Sequence, residues 1–206
     1  MPVLDPYHVT LLLIALISGV ISPIVVQITK YYISLLRLLP KKDEVTKAIK
    51  YEDLIAHKLE KIKDTFKVDR VWLLEFHNGT HKFSGKSLQK FSVTYEVSNP
   101  GIAREGQTTQ NIPTSLFSKF FKTISEKDNF IVNDVDKVNI TNSSLQSFFE
   151  SRGTKSFFAV GVRNIENFLI GVLCLETIAH KSEMSEAGIS DLKRDANILS
   201  GYLEIE

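Results

Sequence analysis

Hydrophobic positions change their spacing along the chain, and each change marks a new segment. Residues 6–29 contain no Asp, Glu, Lys or Arg, and their heart, VTLLLIALISGVISPIVVQI over 9–28, is apolar on every helical face. About twenty residues in a helix reach roughly 30 Å, the thickness of a bilayer's hydrocarbon core. One transmembrane helix with an interfacial extension is therefore expected over 9–36, after a short tail at 1–8. A core helix seldom stays apolar all round for so long. A cleaved signal peptide begins with a basic stretch, which residues 1–8 lack. Pro23 is expected to kink the span, and Ser18, Gly19 and Ser22 permit close helix approach.

From 44 to 67 the period becomes helical. The segment has no Gly or Pro, and Tyr51, Ile55, Leu59, Ile62 and Phe66 recur on one face. That stripe suits packing on the domain that follows, and also pairing with a second copy as a short coiled coil. After Val68 the period drops towards two. Strands are expected over 71–76, ending in a His77-Asn78-Gly79 turn, and over 91–97, where Phe91, Val93, Tyr95 and Val97 alternate onto one face. Pro113 opens a helix over 114–127, and a short strand falls at 130–132. The polar stretch 134–147 reads as a surface loop that runs into a short helix over 143–151. A hairpin then occupies 156–163 and 168–177, and a helix over 182–206 closes the chain. The whole is an α+β fold: a central antiparallel sheet with flanking helices over 68–206, preceded by the connecting helix 44–67 and the membrane helix.

Charge gives the span a direction. Asp5 alone precedes it, whereas Lys30, Arg37, Lys41, Lys42, Lys47 and Lys50 follow. Basic flanks stay on the cytoplasmic side, so the N-terminus is expected outside and the α+β domain in the cytoplasm. Overall, 25 Lys plus Arg balance 24 Asp plus Glu. That balance excludes a general nucleic-acid binder, which needs a basic excess. Cys174 is the one cysteine, so neither an intramolecular disulfide nor a cysteine metal framework can form. Within VLCLE it is expected to be a buried, unreactive thiol.

Gly153-Thr-Lys-Ser-Phe-Phe-Ala-Val-Gly-Val, together with Phe168-Leu-Ile-Gly-Val-Leu-Cys-Leu-Glu, resembles the paired late strands of the GAF family, relatives of PAS domains. The resemblance spans about 44–206. It implies a GAF-like sheet with the terminal helices on one side and a ligand pocket on the other, a small-molecule ligand or a protein partner, and dimerisation through the terminal helices. Residue patterns of the cyclic-nucleotide-binding, covalent-bilin and sulfoxide-reducing members are missing, so the cofactor stays unknown. A Phe-His-Asn-Gly strand end followed by Glu96 also resembles small GAF-like proteins of phages and mobile elements.

The candidate pocket residues are Glu75, His77, Asn78, Ser84, Glu96 and Arg104. Glu75 and His77 share a strand face, where they would ion-pair or switch near neutral pH if that face lines the pocket. Asn78 and Ser84 belong to glycine-bearing turns. Glu96 stands opposite its strand's apolar stripe, where solvent exposure and ligand contact both remain open. Arg104 sits in a 102–111 loop that the resemblance casts as a lid, and a guanidinium suits a carboxylate or phosphate. His77 and His81 straddle a turn, so no metal site is expected. Arg163 and Glu176 read as surface charges. Nucleotide-binding loops, nucleophile elbows and zinc-protease motifs are missing, so no catalytic residue is assigned. The expectation is a membrane-anchored sensor or adaptor with no output domain fused after residue 206; the alternative is a phage or mobile-element membrane protein that uses the fold for docking, in lysis control, exclusion or host takeover.

Overall fold

The computed structural model describes residues 21–38, 44–81, 84–85, 87–137 and 143–204, with the isolated positions 5, 7, 10 and 19. Two compact units divide at Met1–Ala48 and Ile49–Glu206. In the first, helix α1 runs Ser22–Leu38. Pro23 follows π-helical backbone at Gly19 and Ile21, the kind of local adjustment that accommodates a proline within a helix. Ile24, Val25, Val26 and Ile28 are about half exposed, as are Tyr31, Tyr32 and Ile33. Most of the expected membrane span, 9–18 and 20, lies outside the described residues except for Thr10. Among the described residues no helix is long and apolar enough to cross a membrane.

Helix α2 (Glu44–Phe66) begins at the end of the first unit and runs into the second, where the chain continues with β1 (Arg70–His81), β2 (Ser87–Ser98) and β3 (Ile112–Pro113). A 3-10 turn (Thr114–Phe117) leads into α3 (Ser118–Lys127), β4 (Asn129–Val132), α4 (Ser143–Arg152), β5 (Ser156–Arg163), β6 (Leu169–Thr177) and α5 (Glu186–Leu203). Helix α4 falls where the short helix over 143–151 was expected. The strands form one sheet of order β3-β2-β1-β6-β5-β4, and every neighbouring pair is antiparallel.

Alternation along the strands sorts the side chains into two layers. Leu73, Phe158, Val160, Leu173 and Leu175 meet Ile55, Leu59 and Ile62 of α2 and Leu192, Ala196 and Leu199 of α5. The stripe read on 44–67 is thus the packing face of α2. On the opposite face, Trp72, Leu74, Phe91, Val172 and Cys174 pack with Phe117, Phe120 and Ile124 and with Phe149 of α4. Each fully buried Leu or Phe contributes about 1.5–3 kcal/mol.

Two details of β1 and β2 correct the sequence reading. The strand does not stop at His77: it continues to His81, and Asn78 pairs with Gln89 across the ladder. Asn78-Gly79 is therefore not the turn. A Cβ on Gly79 would lie 2.7 Å from the Leu88 carbonyl oxygen, so glycine serves close strand approach there, while Gly85 takes the positive φ of the hairpin end. Next, the register steps from Leu73↔Tyr95 to Leu74↔Val93, which leaves Thr94 as an extra residue. This bulge splits the expected stripe. Phe91 and Val93 join the aromatic face, whereas Tyr95 and Val97 join the α2/α5 face.

Leu59 is fully enclosed between α2 and the sheet. Leu59→Ala should destabilise the protein by about 2–5 kcal/mol in denaturant unfolding. A loss below about 1 kcal/mol would mean that α2 does not pack as described.

Candidate functional site

Register places Arg70 across from Glu176 on β6, and Trp72 across from Glu96 on β2 and Cys174 on β6. Arg70, Trp72, Glu96, Cys174 and Glu176 therefore share the aromatic face. At its end a charge cluster forms. Arg70 Nη1 donates to Glu176 Oε2 at 2.8 Å, and Nη2 donates to the Ala103 carbonyl at 2.6 Å. Arg70 Nε lies 3.1 Å from Glu96 Oε1, but its N–H is not aimed at that oxygen, so this contact is an ion pair without a hydrogen bond. Exposure of these side chains is 3% for Arg70, 7% for Glu96 and 0% for Glu176. Glu176 also accepts from the Thr154 hydroxyl. Buried charges persist only when paired and hydrogen-bonded, and here each is.

The cluster holds the 99–111 loop. Glu96 accepts from the Glu105 N–H at 2.9 Å and the Gly106 N–H at 2.6 Å. A second guanidinium grips the loop from α4: Arg152 Nη2 donates to Thr109 Oγ1 at 2.7 Å and lies 3.5 Å from Glu105 Oε2. Arg152 also stacks 3.8 Å above the Phe148 ring. Burial lowers its pKa, with the Glu176 and Glu105 carboxylates opposing the shift, and it stays charged.

Beside the pinned loop lies an open concavity of about 740 Å³, lined by Val93, Thr94, Tyr95 and Glu96 of β2 and by Arg104, Gly106, Gln107 and Gln110. On the aromatic face a smaller concavity of about 330 Å³ lies beside α4, lined by Phe91, Glu105, Thr109, Phe117, Phe148 and Arg152, while the space around Trp72 is closed. Trp72, Leu74, Phe117, Phe120, Phe148 and Phe157 enclose only about 10 Å³. Rings such as Phe149–Phe157, 4.8 Å apart, fill it. Among the described residues, the buried indole Nε1–H of Trp72 has no hydrogen-bond acceptor.

Of the residues expected at a pocket, the structure brings together Glu96 and Arg104. Glu75 and His77 point to the other side of the sheet, the α2/α5 side, because odd positions of β1 face that way. Glu75 there helps raise the Tyr95 phenol pKa, after burial as the larger cause. His77 Nε2 bonds Ser92 Oγ at 2.9 Å and makes no pair with Glu75. Asn78 Oδ1 accepts from Gln89 Nε2 at 2.8 Å, and Ser84 is exposed at the hairpin end. Among the described residues no group of three His, Cys, Asp or Glu stands ready for a metal. Cys174 is buried, which pushes its thiol pKa up. Glu176 is not a surface charge, and Arg163 is partly covered, 2.9 Å from Asp128. Sequence reasoning missed Arg70, Arg152 and the burial of Glu176. The last was signalled: Glu176 is two residues beyond Cys174 on the same strand, hence on the same buried face.

No protein-family model matches the chain, and no curated protein matches it. Solved structures do. The blue-light-absorbing form of the Thermosynechococcus elongatus PixJ GAF domain superposes with TM-score 0.62 at 15% identity, covering 78% of this chain and 89% of that one. A far-red-absorbing dark state with bound biliverdin gives 0.58 at 16% identity, with coverage of 78% and 94%. The GAF domain region of a Geobacter sulfurreducens protein described as a membrane protein gives 0.59 at 15% identity, with coverage of 79% and 98%. The fold is that of a GAF domain. In this chain the face opposite the terminal helices is packed with phenylalanine around Trp72.

Removing Arg70 should be costly, because it strands two buried carboxylates. Arg70→Ala is expected to lose about 3–5 kcal/mol of stability, whereas Arg104→Ala, exposed, should stay within about 0.5 kcal/mol. Equal small losses in chemical denaturation would show that the cluster is not buried as described.

Asp69, beside it, gives a pH signature. Burial raises its pKa, but the N–H groups of Ala179 and Ile178 and the Asn99 amide outweigh burial and lower it. The folded value lies below the unfolded one of about 3.9. The stabilisation is therefore complete above that pH and is lost as pH falls through the folded value. Asp69→Asn should flatten the acid limb of the stability curve below about pH 4, while an unchanged slope would remove Asp69 from the account.

Proposed function

We propose that the chain is a membrane-tethered sensor or adaptor: α1 and the apolar stretch before it anchor the GAF domain at the cytoplasmic face. The domain binds a small ligand and signals through a protein partner or a second copy. One observation carries the ligand-binding part, the open concavity beside a loop fixed by a buried charge cluster. Its volume lies within the range of about 300–1,000 Å³ typical of small-molecule sites. A rigid wall lowers the ordering cost of binding. Support for the tether comes from the charge-free run 6–29, the basic residues after it and the exposed apolar side chains of α1.

The reading is of a binder, not an enzyme. The ionisable groups most suited to chemistry are committed elsewhere: His77 to Ser92, Glu96 and Glu176 to Arg70, and the Cys174 thiol to the core. Around Trp72 this chain's aromatic face is nearly filled. That filled face favours a second reading, in which the GAF fold serves as a docking module alone, as in a phage or mobile-element membrane protein.

Full-length protein should remain in the membrane pellet after alkaline carbonate washing, and a reporter fused after residue 206 should read cytoplasmic. Release by carbonate would sink the anchor, and an external reporter would sink the orientation. Native mass spectrometry from detergent then separates the two readings. A co-purified small molecule supports the sensor, and an empty chain that retains a protein partner supports docking.

A further inference from the structure

We infer that the concavity takes an oxyanion, a carboxylate or phosphate group on a small molecule, with Arg104 as its receptor. The inference rests on the sensor reading above and adds the chemistry of the ligand. The two charged residues that line the concavity are Glu96 and Arg104. Glu96 is not available. Its oxygens face Arg70 Nε and accept the Glu105 and Gly106 N–H groups, and its side chain is 7% exposed. Arg104 is the reverse case. It is exposed, and among the described residues its guanidinium makes no hydrogen bond or ion pair. The uncompensated charge of the concavity is therefore positive. Around it stand neutral groups: Thr94, Tyr95, and the amides Gln107 and Gln110.

The backbone around Arg104 is fixed on both sides. Ala103 gives its carbonyl to Arg70 at 2.6 Å, and Glu105 and Gly106 give their N–H groups to Glu96 at 2.9 and 2.6 Å. A buried ion pair adds little net stability over a well-packed apolar replacement. What it does here is hold one loop geometry, and the residue left projecting from that geometry is Arg104. A planar guanidinium with paired N–H donors matches a carboxylate or phosphate in two parallel hydrogen bonds. Gln110 cannot contribute its amide hydrogens freely, because Nε2 already donates to the Val93 and Gly106 carbonyls at 2.7 and 2.5 Å. Arg70 and Glu96 are thus positioning residues, and Arg104 meets the ligand.

The test uses the full-length chain in detergent, titrated with inorganic phosphate and, separately, with citrate, against potassium chloride at matched ionic strength. Either anion should produce a saturable rise in melting temperature that chloride does not. Arg104→Gln should weaken that binding about tenfold or more while leaving the ligand-free melting temperature unchanged. Arg104→Lys, keeping the charge without the fork, should retain part of it. Response to citrate alone names a carboxylate, to phosphate alone a phosphate, and either outcome supports the inference. An undiminished response in Arg104→Gln overturns it, because the anion then binds elsewhere. A co-purified neutral molecule in native mass spectrometry, with no anion response, overturns the oxyanion class and leaves the sensor standing. No anion response and no co-purified molecule would remove both.

Discussion

A guanidinium taken out of water needs its charge answered within a few ångströms, and Arg70 is answered twice, by Glu96 and by Glu176. Much else in the domain follows from where those carboxylates must stand. Glu176 fixes the end of β6 against the start of β1. Glu96 fixes β2 there too, and with its remaining lone pairs it draws the 99–111 loop onto the sheet. Arg152 brings a second positive charge to balance Glu105 and roofs the cluster through its stacking on Phe148. A buried pair replaced whole by apolar side chains is often no less stable, but a pair missing one partner loses several kcal/mol. The cluster therefore specifies an arrangement more than it strengthens one, and that arrangement is the loop.

The position of open space in this GAF-like fold is the mirror of that constraint. On the aromatic face the side chains from the 3-10 turn, α3 and α4 close on Trp72 and leave almost no volume around it, the open part of that face being the smaller concavity beside Arg152. Edge-to-face contacts such as Phe120–Phe130 at 5.2 Å each add about 0.5–1.5 kcal/mol beyond the burial of their area. Opening that face for a bilin-sized guest would forfeit several such contacts at once. A shared fold does not carry a shared ligand, and the sequence identity of 15–16% to these structural neighbours leaves room for a different filling of the same frame. Space remains at the β2 edge, where β3 pairs only with Lys90 and Phe91, so that loop residues rather than a strand flank the rest of β2.

Much of this frame was legible from periodicity. The α2 stripe Ile55, Leu59 and Ile62 is a 3.6-residue pattern with one solution, and the β5/β6 alternation needs both faces buried, as both are. Two things escaped for physical reasons. A bulge such as the one at Thr94 is a property of two strands in register, so single-strand alternation runs through it unaware and assigns Phe91 and Tyr95 to one face. Strand parity was the other. Glu75 and His77 were rightly placed on one face, but that this face is the α2/α5 side depended on which side of β1 packs against those helices, a long-range fact. Glu96 was legible as set apart from its stripe. Its partner Arg70 was not, since it stands at the first position of β1, where a charge reads as a strand's polar border.

The contrast between Glu96 and Arg104 shows how a site divides work between charges. Both border the concavity, and on sequence both qualified as ligand contacts. Burial separates them. Glu96 has exchanged its water for Arg70 and two backbone N–H groups, so a ligand hydrogen-bonding to it would have to compete with bonds of 2.6 to 2.9 Å already made in a low-dielectric setting. Arg104 keeps its water, and a ligand anion replaces that water with a charge-assisted pair. The loop between them is bonded on one side to Glu96 and on the other, through Thr109 and Glu105, to Arg152 above the aromatic face. A displacement of the backbone at 103–106 therefore cannot occur without straining bonds to β1, β2 and α4 together. In a domain whose interior is already full, that loop is the element whose position an occupant of the concavity would most directly hold.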